Sequence, residues 1–437
     1  MIRLVLPFLL ALLTALPARA DVEIQEITTP GGLNAWLVEE HSIPFTALEI
    51  WFRGGTSLDR PGKRGAINLM TATLEEGAGE MDALAFTRAK EALAADFDYD
   101  VGDDTLTVSA RFLTENRDEA VALLRETLIN PRFDQDAIDR VRGQVISIIR
   151  SDEKDPKDIA SRELKSQAFG DHPYGTDSNG TVDSVTALTR EDILTAHTDS
   201  MARDRIYIGA VGDITPEDLS TLLDDLLGDL PETGAPQPVD IEPGLTGGVT
   251  VIPFDTPQSV AIFGHSGVER TSEDFFAAYL LNTILGGGGF ESRLMTEVRE
   301  KRGLTYGVYS FLVDKDHADL WMGQVQSANN RVAEAIEVVR AQWADIAENG
   351  VTQEELDAAK KYLTGAYPLR FDGNGRIANI ITGMQIQDMP IDYPATRNDK
   401  VNAVTLDEVN DVARRYLKPD ALRFVVVGQP KGLSSTN

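Results

Sequence analysis

Two short segments of this chain repeat at a fixed offset, and that repeat limits the fold more than anything else in the sequence. Leu188-Thr189-Arg190-Glu191-Asp192-Ile193 precedes a helical stretch, a polar turn and the apolar run Ile206 to Val211, which ends at Gly212. Val404-Thr405-Leu406-Asp407-Glu408-Val409 opens the same succession, which ends at Gly428. Thr189 and Thr405 are 216 positions apart, as are Gly212 and Gly428, so the segments superpose without a gap. A period this long is duplication of a whole domain, not a solenoid repeat.

Upstream the halves agree more loosely. Leu48 to Arg53 reads as a strand, Gly65 to Leu74 as an apolar helix, and Gly77-Ala78-Gly79 as a turn. In the second half Ser259 to Gly264 is the strand and Ser272 to Leu285 the helix, with Phe276, Leu280 and Ile284 along one face. Thr105 to Ala110 alternates with period two, as a half-buried antiparallel strand does. The expected fold class is α+β: two homologous domains, 21–230 and 248–437, each an antiparallel-rich mixed sheet packed with helices. The proline-rich stretch 231–247 is the linker, and the chain is bilobed and clam-like.

Residues 1–20 place Arg3 ahead of an apolar run and end in Ala18-Arg19-Ala20, the pattern of a secretory signal peptide. The expectation is an exported protein, in a bacterial periplasm, with no membrane attachment after the signal is removed. With no cysteine it has no disulfide framework. Removing Arg3 and Arg19 takes the formal charge from −29 to −31, which repels nucleic acid and anionic lipid.

The glycines Gly286, Gly287, Gly288 and Gly289 suggest a phosphate cradle, but Phe290, Glu291 and Ser292 follow where a Walker loop needs Lys and Ser or Thr. They also follow a helix rather than a strand, which excludes the dinucleotide fingerprint. Locally they read as a flexible connection between helices. Asp96-x-Asp98-x-Asp100-x-Gly102-Asp103-Asp104 imitates a calcium loop, yet its glycine is one place late and Thr107 stands where a bidentate Glu is required. A solvated run of acids between helix and strand is the expectation. His41, His172, His197, His265 and His317 contain no pair one helical turn apart, so each is read as a surface or hydrogen-bonded structural residue. Arg299 and Tyr306, seven positions apart, read locally as a helix-end cation and the opening of a strand.

Three stretches give these residues a common frame: Ser292-Arg293-Leu294 with Arg299-Glu300-Lys301-Arg302-Gly303-Leu304-x-Tyr306, then Phe169-Gly170-Asp171-His172-Pro173-Tyr174-Gly175, and Val211-Gly212-Asp213. With them the chain, from about Val22 to Gly428, resembles the pitrilysin/insulinase family of zinc peptidases, in the branch that includes the mitochondrial processing peptidase. Active members carry His-x-x-Glu-His on the first helix of the first domain, two His holding zinc and Glu activating water. The matching places here are Asn68, Thr71 and Ala72, and the place of the further Glu ligand is Ser147 or Ile148. An amide, a hydroxyl and a methyl cannot hold Zn2+, so the resemblance implies degenerate metal positions and no metal or other cofactor in this chain. The family's second-half Arg and Tyr match at Arg299 and Tyr306, where they hold substrate and stabilise the oxyanion. The resemblance therefore implies a metal-free subunit supplying Arg299 and Tyr306 in trans to a homologous partner that bears His-x-x-Glu-His and zinc. Peptides are the implied substrates, steered along Gly286 to Gly289. The alternative is a non-catalytic peptide-binding or assembly protein of the same fold.

Overall fold

In a computed structural model, residues 23–436 are described. The expected signal peptide lies outside them. The first half contributes strands β1 (Gln25–Thr28), β2 (Asn34–Glu39), β3 (Phe45–Arg53), β4 (Asp96–Val101), β5 (Thr105–Leu113) and β6 (Ile206–Gly212), ordered β1-β2-β6-β3-β5-β4 in one sheet. The second contributes β7 (Gly248–Pro253), β8 (Gln258–Ser266), β9 (Val308–Lys315), β10 (Ala318–Ala328) and β11 (Arg423–Gly428), ordered β9-β10-β8-β11-β7. Each sheet is antiparallel apart from one parallel pair, β2 with β6 and β7 with β11. The five strands β7 to β11 repeat the arrangement of β2 to β6, and β1 has no strand counterpart. Where β1 pairs with β2, the C-terminal Thr436 bridges Val249 of β7.

The helices that carry the argument are α1 (Ala66–Thr71), α2 (Arg117–Ile129), α3 (Gln135–Asp152), α4 (Pro156–Phe169) and α5 (Arg190–Ser200) in the first half. In the second they are α6 (Phe275–Asn282), α7 (Val332–Asn349), α8 (Gln353–Ala366), α9 (Asn374–Ile386), α10 (Tyr393–Ala403) and α11 (Leu406–Tyr416). The sequence repeat has a local cause. Thr189 and Thr405 are N-caps of α5 and α11 in reciprocal capping boxes with Asp192 and Glu408, which satisfy backbone N–H groups the helices leave unpaired. Gly212 and Gly428 close β6 and β11 at φ of 142° and 150°, where a Cβ would lie 2.2 Å from the Phe45 carbonyl or 2.3 Å from Ser259 Oγ.

Each sheet buries one face against helices of its own half, forming two separate large cores. The other faces are covered by exchange. α4 of the first half lies on β8 and β11, with Ala160, Leu164 and Ala168 meeting Val260, Ile262 and Val425. α9 of the second half lies on β3 and β6, with Ala378, Ile381 and Met384 meeting Trp36, Ala47 and Val211. Each half thus completes the other's burial. The stretch 231–247 carries no helix or strand.

Two sequence expectations change. α1 is six residues, shorter than Gly65 to Leu74, because tighter i→i+3 bonds at Thr73 and Leu74 end it. The acidic run is only partly solvated: Asp96, Asp98 and Asp100 are exposed on β4, whereas Asp103 and Asp104 sit in the seam between the halves. Lys315 Nζ stands 2.7 Å from Asp103 and 3.8 Å from Asp104. Burial opposes ionisation of Asp103, yet Lys315, Lys165 and Arg64 hold its carboxyl below the ordinary range. Tyr174, fully buried, donates its hydroxyl to Asp104, and Lys315 Nζ lies 4.1 Å from the centre of its ring. The Phe169–Gly175 motif is therefore part of the join between halves.

Candidate functional site

The glycine loop is built out of α6. At Thr283 the helix widens into a π turn through Gly287, and a second π segment spans Met295–Glu300. Such turns are rare and concentrate at functional places. Gly286 is buried against β9, where a Cβ would come within 2.5 Å of both Ser310 N and Oγ. The chain's own packing thus demands Gly286. Gly287 and Gly289 are exposed and Gly288 is half-buried, so the outer part of the loop faces solvent. Behind it, Asn282 Oδ1 accepts from Ser310 Oγ at 2.8 Å and from Trp321 Nε1 at 3.0 Å.

The motif after the loop contains four basic residues, and three are occupied. Arg293 pairs with Glu355 at 2.6 Å and Asp345 at 3.0 Å, tying the segment to α8 and α7. Lys301 and Arg302 both reach Glu297, at 2.6 Å and 2.7 Å. Arg299 has no carboxylate partner among the described residues. Its guanidinium lies over the exposed ring of Phe290, 4.7 Å from the centroid. The fold thus brings Arg299 to the end of the glycine loop; the contact with Phe290 was not read from the sequence, because Phe290 carries no motif signal.

Tyr306 is held outward. Thr305 Oγ1 lies 2.6 Å from Gln326 O, to which it donates, and 2.8 Å from Gly307 O, Arg331 donates to Gly303 O and Arg302 O, and Ser327 Oγ donates to Leu304 O. The anchored turn leaves Tyr306 88% exposed. Tyr309 and Phe311 of the edge strand β9 are exposed as well, so an aromatic strip continues from it. A guanidinium without a counterion and a phenol facing solvent are groups able to meet charge that arrives from outside the chain.

The corresponding positions of the first half are consumed internally. Asn68 Nδ2 donates to Asn179 Oδ1 at 3.1 Å, and Asn179 Nδ2 to Asp152 Oδ2 at 3.4 Å. Thr71 is buried and its hydroxyl donates to Ile67 O at 2.9 Å. Ala72 offers a methyl, and Ser147 and Ile148 lie exposed on α3. This donor set does not fit zinc. Among the described residues no three His, Asp or Glu converge as a metal site. α1 itself is anchored by Asp59, whose carboxylate accepts from Gly65 N at 2.8 Å and Ile67 N at 2.9 Å; burial pushes its pKa up to about 6.

The histidines have structural partners. His265 is fully buried, and because Trp343 Nε1 can only donate, its 2.9 Å bond makes His265 Nε2 the acceptor and puts the proton on Nδ1, which faces Ser266 O. Burial lowers its pKa to about 4. His197, also buried, bonds Leu128 O, while His172 is held between Val239 O and Tyr174 N. His317 pairs with Asp240, and the exposed His41 with Glu39 and Asp213, which raise its pKa.

Two family profiles match this architecture: "Insulinase (Peptidase family M16)" over residues 35–181 and "Peptidase M16 inactive domain" over residues 187–363. A non-peptidase homolog of Helicobacter pylori is 27% identical, with 90% of this chain and 91% of that protein covered. An uncharacterized zinc protease of Streptomyces coelicolor is 28% identical, with 90% and 87% covered. Among solved structures, a peptidase M16 inactive domain from Pseudomonas fluorescens superposes with a TM-score of 0.88 at 29% identity, over 94% of this chain and 99% of that one.

Proposed function

Because this chain belongs to the insulinase family of peptidases, family M16, we propose that it is the metal-free subunit of a heterodimeric zinc metallopeptidase. In this reading it supplies Arg299 and Tyr306 in trans for peptide hydrolysis by a homologous partner bearing His-x-x-Glu-His and zinc. The observation that carries it is the contrast between the halves. Among the described residues Arg299 has no counterion, only the Phe290 ring beneath it, and Tyr306 faces solvent, both on an anchored surface, while Asn68 and Thr71 are bonded within the fold. The inactive-domain and non-peptidase descriptions of similar proteins agree with a chain that does not cleave alone.

The partner's zinc would activate water. This chain's part is electrostatic: the Arg299 guanidinium and Tyr306 hydroxyl donate toward the substrate carbonyl as it gains negative charge, and both groups are available before substrate arrives. Phe290 holds the guanidinium by its ring without neutralising it. An extended peptide passing Gly287 and Gly289 would meet the aromatic strip of Tyr306, Tyr309 and Phe311. Export to the periplasm belongs to the same proposal, since the mature chain would begin after Ala20.

The test is peptide turnover by this protein mixed with a His-x-x-Glu-His homologue from the same cell. Arg299→Ala should lower the mixture's kcat by about 100-fold while the two chains still co-elute, the loss seen for one oxyanion donor. Full activity of that variant would remove the catalytic role and leave a peptide-binding or assembly protein. Brisk cleavage by the isolated wild-type chain, with bound zinc, would end the proposal altogether.

A further inference from the structure

A cavity of about 350 Å3 lies where the exchanged helix α9 meets α6 and α10. Its walls are aromatic, with Trp51 from β3, Tyr279 from α6, Tyr367 and Tyr393 among them, and they carry Arg270, Arg370 and Arg397. No Asp or Glu lines it. In a chain with 70 acidic and 41 basic residues, three guanidiniums and no carboxylate around one cavity is a local inversion of charge.

The three arginines are not equivalent. Arg270 Nε stands 3.8 Å from Asp314, outside this cavity, and its guanidinium lies over the Phe275 ring. Arg397 is 5% exposed, and NH1 donates to Leu363 O and Asn398 Oδ1, both at 3.0 Å. Its guanidinium stacks 4.6 Å from the Tyr367 ring centre and 5.7 Å from that of Tyr279. It forms no ion pair among the described residues. A buried cation is costly to hold without a counterion, and neutral oxygens and π faces compensate only part of that cost. Arg370 is exposed at the rim and also unpaired. Tyr367 stays protonated: burial and the neighbouring Tyr393 raise its pKa to about 12, against the lowering effect of the three arginines. It can therefore donate a hydrogen bond beside the positive charges.

We propose that this cavity binds a carboxylate carried on an apolar or aromatic body, with Arg397 and Arg370 meeting the carboxylate and the aromatic walls enclosing the body. The volume is at the small end for ligand sites and suits a single terminal residue or a small organic acid. Aromatic walls give an inorganic anion nothing to bury, which favours an organic acid over phosphate. The two sources of this chemistry are the carboxy-terminal residue of a peptide and a free small acid. The inference concerns the chain alone and does not depend on a zinc-bearing partner.

Calorimetric titration of the full purified chain tests it with five probes. These are N-acetylphenylalanine, its amide, a hexapeptide ending in phenylalanine with a free carboxylate, the same peptide amidated, and inorganic phosphate. At least one free acid should bind about tenfold tighter than its amide, the scale of a charge-assisted hydrogen bond. Arg370→Gln, a rim substitution that leaves the core untouched, should remove most of that preference without changing amide binding. Preference for the peptide acid alone identifies a peptide end as the source, and binding of both acids a general organic-acid site. No acid binding, equal binding of acids and amides, phosphate binding as tight as the acids, or an unaltered Arg370→Gln preference would each overturn the proposal.

Discussion

The two sheets end on homologous edge strands of opposite character. β4 presents Asp96, Asp98 and Asp100 to solvent, while β9 presents Tyr309 and Phe311 next to the exposed Tyr306. Both strands pair on one side only. Charges along a free edge discourage pairing with another chain, whereas exposed aromatics invite contact. The same topology has thus been closed to company in one half and left open in the other. The internally bonded Asn68 and Thr71 of the first half and the solvent-facing Tyr306 and counterion-free Arg299 of the second, among the described residues, follow the same division.

The hardest test of that contrast is functional. In the mixed peptidase assay Arg299→Ala should cost about 100-fold in kcat, about 2.7 kcal/mol of transition-state stabilisation, whereas Asn68→Ala should leave kcat within about twofold, because its amide only bonds Asn179. A large Asn68 effect would break the comparison.

Acid should expose a second difference. At the penultimate position of β3 stands Phe52, and at that of β8 stands His265. The folded pKa of His265, about 4, lies below its unfolded value near 6.5. Its contribution is therefore complete above pH 6.5 and is lost as pH falls toward 4, amounting to about 3 kcal/mol. His197 in the first half is lowered in the same direction by burial, so acid should weaken both halves. Denaturant unfolding from pH 7 to 4 should show the loss, and His265→Phe should flatten only the second half's share, read from hydrogen exchange in β8 against β3.

The helix exchange is also unequal. Gly209 of β6 is the repeat partner of Val425 of β11, and a Cβ at Gly209 would lie 2.2 Å from Thr382 Oγ1 of α9. The first sheet therefore has no room for the branched side chain that the second buries under α4. Gly209→Val should destabilise by roughly 1–3 kcal/mol and loosen α9, measured by denaturant midpoint and protease sensitivity of 374–386.

The smallest effects should fall on the edges. Phe311→Lys should change stability by less than about 0.5 kcal/mol yet reduce any self-association, and Asp98→Tyr should increase it, as sedimentation would show.

Much of this was legible in the residues. Thr189 and Thr405 announce helix starts because a capping box closes within four residues, and Gly212 and Gly428 announce strand ends because only glycine accepts that φ. Asn68, Thr71 and Ala72 became readable as vacant ligand positions only through the resemblance to the peptidase family, which says where the His-x-x-Glu-His would stand; their chemistry then says that zinc does not fit. The pattern of Asp96 to Asp104 misled because alternation describes β4 but not what Asp103 meets. Nor could the motif say which of its four basic residues stays unpaired, since Arg293 is claimed by Asp345 and Glu355 from distant helices.

What the sequence determined by itself is a duplicated α+β chain, because caps and periodicity act over a few neighbouring residues; the resemblance then placed Asn68, Thr71 and Ala72, whose side chains do not fit zinc, where the family's ligands stand. The tertiary structure alone decided that α4 and α9 trade sheets, that Lys315 neutralises Asp103 across 212 positions, and that Arg299, Arg370 and Arg397 are left without acidic partners among the described residues. Burial and ion pairing depend on distance in space, and folding brings together residues whose separation along the chain carries no trace of that meeting.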